Sequence, residues 1–498
     1  MGVVSHKNFF ACFFNLTNSI VGVAFLAMPY IITTVGITGT ILLICIFAIL
    51  NFISLQLMAD VWISTNGKLK NNHQSSIIIS SYLRETPLSS SLTELHEYFD
   101  YLKVPFLKII YDIAVILSMF GSLCVLVIVA KTCLFSVTSI YEDESKRVFD
   151  SSFVAVFACL VFFPTIIKTI GNQWSFSVIS LVCVAYIILS IIIRGSQALL
   201  SSDFDAQIFT QPPFSFASLG SVGVIAFSFA CQMNAMPIYS ELEHPTKLRI
   251  TLLNILSLFT AAVIYILIAY FGFVSQGAET TSNILLGYDN SDIPMLVAKV
   301  LMAVKAFFTF PLMSHSLLIN ADDLVTSIIS LIKHSIEITI SKIEKKENGG
   351  GSGGTMHLSL LKFMKKRNKT HEDSEDEDED DDDDDNNATK TKKKKIYYYL
   401  KRCIYTGVFV AGSSAIGFFF DDISPVISLT GAIADSSISL LFPGFLCVSC
   451  VVYQKSKEHR TTTAHNVSKE LYNTGMMLVT TSVVVTWITI FGLLTNDL

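Results

Sequence analysis

Long apolar stretches separated by short polar segments recur along almost the whole chain. An α-helix needs about 20 apolar residues to cross a bilayer. The pattern therefore predicts an all-α, polytopic membrane protein with eleven transmembrane helices. In chain order these spans cover residues 10–32, 36–61, 106–133, 151–170, 175–194, 214–236, 249–273, 294–320, 398–419, 424–453 and 472–494.

Composition supports this class, and the distribution of charge indicates the orientation. Of the 498 residues, 51% are hydrophobic and 15% are charged, whereas a soluble domain carries about 25% charged residues. Lysine and arginine concentrate in the connections that follow spans 2, 8 and 10. Because short loops rich in these residues face the cytosol, we expect the N-terminus to be cytosolic.

Two polar segments interrupt the apolar pattern. Residues 63–104 are Ser-rich, and residues 336–397 combine a Gly-rich stretch, lysine clusters and an acidic run from Glu372 to Asp385. The second composition buries too little apolar surface to fold, so we expect a disordered, charged cytosolic loop, either a solvated tether or a segment whose lysines touch anionic lipid. The sequence identifies no cytosolic partner for it. The chain then divides into 1–335, with helices 1–8 and the cytosolic loop 63–104, the loop 336–397, and 398–498, with helices 9–11.

The first span contains polar and helix-breaking residues that a passive anchor does not need, among them Asn15, Asn18, Gly22 and Pro29. Backbone without helical hydrogen bonds at membrane depth either lines a cavity or is buried in protein. Secondary transporters hold solutes near the midplane with such interrupted helices. Residues 227–239 in the sixth span contain the same Ala-Met-Pro triplet as the first. We therefore expect spans 1 and 6 to be broken and to form a solute site together.

Two charged residues are predicted near the middle of the membrane, Lys305 in span 8 and Asp435 in span 10. Such charges cost about 2.5–3.5 kcal/mol on insertion scales and mark functional sites or pair with each other. We hypothesise that Lys305 replaces a sodium ion as a fixed or proton-titrating cation, with Asp435 as its counter-charge. The alternatives are an inert salt bridge, or a Lys305 side chain that extends along a tilted helix towards water.

Three groups of motifs carry a family resemblance. They are Asn18 to Gly22 with Met28-Pro29-Tyr30, Phe229 to Gln232 with Pro237 to Leu242, and Ser428 to Ala432 with Phe442-Pro443. Together they resemble the amino acid/auxin permease family, and they look most similar to its branch of sodium-coupled neutral amino acid transporters. The resemblance implies a LeuT-like fold, a 5+5 inverted repeat in which the broken helices 1 and 6 open the two halves.

The resemblance also implies a substrate site. In that family the unwound first helix supplies amides to the substrate carboxylate, and the sixth helix supplies carbonyls to the amine. The matching candidates are Asn18, Ser19, Val21, Gly22 and Ala24 in span 1, and Phe227, Ser228, Phe229, Cys231 and Gln232 in span 6. The family's sodium site uses hydroxyl groups on the eighth helix, of which Thr309 remains. Thr309, Lys305 and Asp435 are therefore the candidate ion-coupling residues.

No nucleophile–base pair, phosphate-binding loop or metal-ligand spacing stands out in the sequence. We therefore expect no enzyme, no metal site, no nucleic-acid partner, and no cofactor apart from Na⁺ or H⁺ as a coupling ion. The predicted function is secondary active transport of a small amino acid by alternating access, as symport or antiport, in the plasma membrane or an endolysosomal or vacuolar membrane. An amino-acid-sensing transceptor with little flux and a channel are the alternatives.

Overall fold

The computed structural model describes residues 8–65, 105–138, 143–166, 173–201, 216–347, 384–457 and 462–495. Within these ranges the long elements are all helices, and there is no β-strand. In this part of the chain ten helices are long and apolar enough to cross a membrane, and the number is eleven if one bent pair of shorter helices counts as a single span. The expectation of an all-α protein with about eleven membrane-spanning helices is therefore confirmed.

Span 1 consists of the helix Phe9–Ile20, the 3₁₀ turn Ala24–Ala27 and the helix Met28–Val35, and span 6 consists of Gly220–Phe229 and Gln232–Glu241. Spans 2 to 5 are Ile37–Thr65, Pro105–Thr138, Asp143–Ile166 and Gln173–Leu199, and spans 7 to 9 are Lys247–Gln276, Ile293–Glu347 and Asp384–Phe419. Span 10 comprises Ser424–Thr430, the π-helical segments Gly431–Asp435 and Ser437–Leu441, and Phe442–Lys457, and span 11 is Thr462–Thr495.

The chain divides into two compact units, Met1–Asn320 with Thr406–Leu498, and Ala321–Tyr405. The second unit holds the end of span 8 and the start of span 9. Its Lys401 forms an ion pair with Asp322. Because span 8 continues to Glu347 and span 9 begins at Asp384, both flanks of the segment 336–397 are helical. Residues 348–383 and 66–104, to which the loop predictions mainly apply, lie outside the described residues.

Spans 1 and 6 are both interrupted, as the sequence predicted. The two halves of span 1 are bent by 49°, and residues 230 and 231 separate the two halves of span 6. The side-chain contacts pair the halves reciprocally. Asn234 in the second half of span 6 donates to Ser19 in the first half of span 1 at 2.7 Å, while Thr34 and Ser221 join the other two halves at 2.8 Å. An inverted repeat that opens with spans 1 and 6 would produce this crossed pairing.

Span 6 also lies backbone to backbone against span 10. A Cβ atom added to Gly223 would collide with the carbonyl of Ser428, and one added to Gly431 would collide with the carbonyl of Gly223. Only glycine permits so close an approach, since it has no Cβ. The first half of span 6 is thereby held against the helix that carries Asp435.

Candidate functional site

A tight turn centred on Val21 interrupts span 1. The helix ends at Ile20, and Val21 has φ −76° and ψ 69°, the values of an inverse γ-turn. Consistent with that turn, the Gly22 amide donates to the Ile20 carbonyl at 2.8 Å. The first half-helix therefore ends at Ile20, and after this turn a new helix begins at Ala24.

The amides that follow this turn belong to buried residues and have no acceptor in the described backbone. Leu26 N–H makes the first bond of the new helix, to Val23 O at 3.2 Å, so the amides of Val23, Ala24 and Phe25 precede the ladder. No hydrogen bond of the described backbone uses them. Val23, Ala24 and Phe25 are 6%, 1% and 0% exposed. Because a buried N–H group needs an acceptor and a helix N-terminus favours an anion, the break can bind a carboxylate.

The break in span 6 lies at Ala230 and Cys231, which have extended and irregular backbone angles. The Cys231 amide donates to the side-chain oxygen of Gln232 at 3.0 Å, and the Gln232 amide group donates to Asn51 of span 2 at 2.7 Å. Both ends of the Gln232 side chain are therefore used within the protein. The buried Gln232 side chain, one of the predicted substrate ligands, therefore connects the backbone of the break to span 2.

Lys305 reaches the break in span 1 from span 8. Its Nζ donates to the Gly22 carbonyl at 3.0 Å and lies 5.4 Å from the centre of the Phe25 ring. The side chain is 3% exposed. In an unbroken helix the Gly22 carbonyl would accept from Leu26, which instead donates to Val23. Because the helix is broken here, the Gly22 carbonyl has no intrahelical donor and accepts a hydrogen bond from the Lys305 ammonium group.

Asp435 is buried at the end of a π-helical segment of span 10, and its Oδ1 accepts a hydrogen bond from Ser118 Oγ of span 3 at 2.5 Å. Its Oδ2 is buried without a hydrogen-bond partner among the described residues. Single π-helical turns are frequent at functional sites. Asp435 therefore lies at a distorted part of span 10 with one oxygen available for a proton or cation.

The ion pair that the sequence predicted between Lys305 and Asp435 is not formed. Each residue has its own partner in the described part of the chain, Gly22 for Lys305 and Ser118 for Asp435. The assignment of Asp435 as the counter-charge of Lys305 was therefore wrong. A cation can satisfy its donors with a carbonyl dipole as well as with a carboxylate, and span 1 supplies that carbonyl.

The other candidates lie around the two breaks. Asn18 and Ser19 are half-buried in the last turn before the break of span 1. Phe227, Ser228 and Phe229 form the last turn before the break of span 6, where the Ser228 hydroxyl bonds within its own helix to Val224 O at 2.7 Å.

Thr309 lies one turn after Lys305, and its hydroxyl oxygen is buried without a hydrogen-bond partner among the described residues. Residues four apart share one face of a helix, so the two candidate ion-coupling residues of span 8 lie together.

Sequence reasoning missed Tyr265 of span 7 and Asn51 of span 2, which contact the breaks. Each is one of several polar residues in a mainly apolar helix, so the sequence held no signal that set it apart from its polar neighbours.

The sequence of the chain matches a model of a known protein family. The model described as "transmembrane amino acid transporter protein" matches residues 6–491. The chain belongs to this family. The family is that of the amino acid/auxin permeases, so the predicted resemblance is confirmed. Its members are transporters, which agrees with the expectation that the chain is not an enzyme.

Individual relatives are distant. "Vacuolar amino acid transporter 5" of Schizosaccharomyces pombe is 21% identical over 377 residues, 72% of this chain and 83% of the relative. "Vacuolar amino acid transporter 7" of Saccharomyces cerevisiae is 25% identical over 320 residues, 62% of this chain and 58% of the relative. "Sodium-coupled neutral amino acid transporter 4" of Pongo abelii is 28% identical over 102 residues, 20% of this chain and 19% of the relative. The last two matches cover less than two thirds of the relative's length.

Proposed function

We propose that this protein is a secondary active transporter that carries a small amino acid across its membrane by alternating access. The observation that carries the proposal is the break in span 1, where the buried amides of Val23, Ala24 and Phe25 have no acceptor in the described backbone. A carboxylate supplies two strong acceptors for such groups. The family assignment agrees with a solute of this kind.

The amine of the same solute would bind on the side of span 6. The helix Gly220–Phe229 ends in the middle of the span, and the last carbonyls of a helix lack intrahelical donors and lie at the negative end of its dipole. The two breaks together offer donors to a carboxylate and acceptors to an ammonium group. That combination selects for zwitterionic amino acids over solutes with only one of the two groups.

For the coupling ion, we propose that Lys305 supplies the cation that a sodium ion would otherwise supply. Its ammonium group lies against the Gly22 carbonyl of the unwound segment, where a cation stabilises the exposed backbone oxygen. Thr309, one turn further on, offers a hydroxyl beside it. Asp435, buried next to Ser118, is proposed as a separate proton-binding group. The proposed coupling ion is therefore a proton.

We further propose that the protein acts in a vacuolar membrane with its N-terminus in the cytosol. Two relatives from yeasts have names that place them in the vacuole. The lysine- and arginine-rich connections after spans 2, 8 and 10 support the orientation, since such loops face the cytosol.

Uptake of a panel of radiolabelled amino acids into liposomes that contain the purified protein tests the proposal. Uptake should saturate and should respond to a pH gradient more than to sodium. Unlabelled amino acid should compete, whereas its methyl ester, which lacks the carboxylate, and its des-amino analogue, which lacks the ammonium group, should compete weakly. Binding without accumulation would instead support an amino-acid-sensing transceptor, and equal competition by all three compounds would contradict the proposed site.

A further inference from the structure

A single hydroxyl group on span 7 contacts both broken spans. Tyr265 is fully buried, and its hydroxyl oxygen lies 2.7 Å from the Ile20 carbonyl and 2.8 Å from the Ser228 carbonyl. Its ring packs edge-on against Phe229, with the ring centroids 5.4 Å apart. Through this one side chain, span 7 therefore bonds to both spans 1 and 6 next to their breaks.

The two carbonyls occupy equivalent places in the two broken spans. Ile20 ends the first half-helix of span 1, and Ser228 lies in the last turn of the first half-helix of span 6. Carbonyls in the last turn of a helix lack intrahelical donors and carry its negative partial charge. Two such ends repel each other unless a donor lies between them, and the Tyr265 hydroxyl is that donor.

The hydroxyl has one proton for these two acceptors. The Ile20 carbonyl also accepts the Gly22 amide at 2.8 Å, whereas the Ser228 carbonyl has Tyr265 as its partner among the hydrogen bonds of the described residues. The two carbonyls together can therefore accept a hydrogen bond from a further donor. An α-ammonium group brings three N–H donors and a positive charge.

We infer that Tyr265 is a positioning residue of the amino acid site, whose hydroxyl sets the spacing of the Ile20 and Ser228 carbonyls that receive the ammonium group of the solute. The inference rests on the proposed function and deepens it, since it names the contacts on the amine side.

The test compares Tyr265→Phe with Tyr239→Phe in liposomes. Each substitution removes one hydroxyl from a fully buried tyrosine. The Tyr239 hydroxyl donates to Asn254 at 2.9 Å, away from both breaks, so it is a matched control. The readouts are the KM for a transported amino acid and the inhibition constants of that amino acid and of its des-amino analogue. The ratio of the two inhibition constants does not depend on the amount of folded protein.

Tyr265→Phe should raise KM about tenfold, the effect of leaving one buried acceptor without its donor. It should also reduce the preference for the amino acid over the des-amino analogue by the same factor, because that analogue does not use the two carbonyls. Tyr239→Phe should keep the wild-type KM and preference. An unchanged preference in Tyr265→Phe, with wild-type transport intact, would overturn the inference. A wild type that transports no amino acid would overturn the proposed function instead.

A second variant covers the case in which Tyr265→Phe does not fold. Phe229→Leu retains the hydroxyl but removes the ring against which Tyr265 packs. It should lower the preference for the ammonium-bearing solute in the same direction and by a smaller factor. Wild-type preference in this variant, when Tyr265→Phe yields no folded protein, would also overturn the inference.

Discussion

Replacing Lys305 by alanine tests the proposed coupling mechanism most directly. The lysine is 3% exposed, and its Nζ donates a hydrogen bond to the Gly22 carbonyl at 3.0 Å. The substitution removes the cation that neutralises this exposed carbonyl and leaves a space beside the Thr309 hydroxyl on the same helix face. The unwound segment then loses the contact that holds it in place.

The size of the effect follows from the kind of bond that is lost. A hydrogen bond to a charged group contributes about 1.5–3 kcal/mol, and about 1.4 kcal/mol corresponds to a factor of ten. If this energy is lost from the transport-competent state, uptake by Lys305→Ala without sodium should fall about 10- to 150-fold. Because Na⁺ also binds carbonyl and hydroxyl oxygens, sodium should restore part of the uptake in this variant, and choline should not.

The assay is amino acid uptake into liposomes at two pH values, with and without sodium. Lys299→Met is the control, since this lysine lies on the same span and is also buried but donates to Ser136, Tyr288 and Asn290 rather than to a break. The control variant should keep the wild-type response to pH and to sodium. Wild-type uptake and wild-type pH dependence in Lys305→Ala would refute the reasoning.

Three further predictions concern neighbouring features. Asp435→Asn, which keeps the shape of the side chain but removes its titration, should abolish accumulation driven by a proton gradient while exchange of amino acid continues; driven accumulation in this variant would exclude Asp435 as the proton-binding group. Gly223→Ala should lower the free energy of unfolding by about 1–3 kcal/mol, because the new methyl group collides with span 10. The control is Gly407→Ala, whose methyl group meets no atom within 4 Å; its melting temperature should equal or exceed that of the wild type. Gln232→Leu should cost about 1–3 kcal/mol, since it leaves the buried Cys231 amide without its acceptor, and a melting temperature equal to the wild type would contradict that role.

Local pattern was sufficient to predict the spans and the two breaks. A run of apolar residues long enough to cross a bilayer has to be helical, because lipid offers the backbone no hydrogen-bond partners. Gly22 lies in the break of span 1, Pro29 lies at the start of its second half-helix, and Pro237 lies inside the half-helix that follows the break of span 6. These features depend on neighbours in sequence, so the chain itself determines them.

Partners across the bundle could be found only in the tertiary structure. Lys305 bonds to Gly22, 283 positions away, and the sequence instead suggested Asp435 because opposite charges at similar depth attract. The Gln232 side chain donates a hydrogen bond to Asn51 of span 2, and the Tyr265 hydroxyl lies between one carbonyl of span 1 and one of span 6. Residue type and depth show that a buried polar group needs a partner. Which of several partners at that depth it finds depends on how the helices are rotated and crossed, and packing alone decides this.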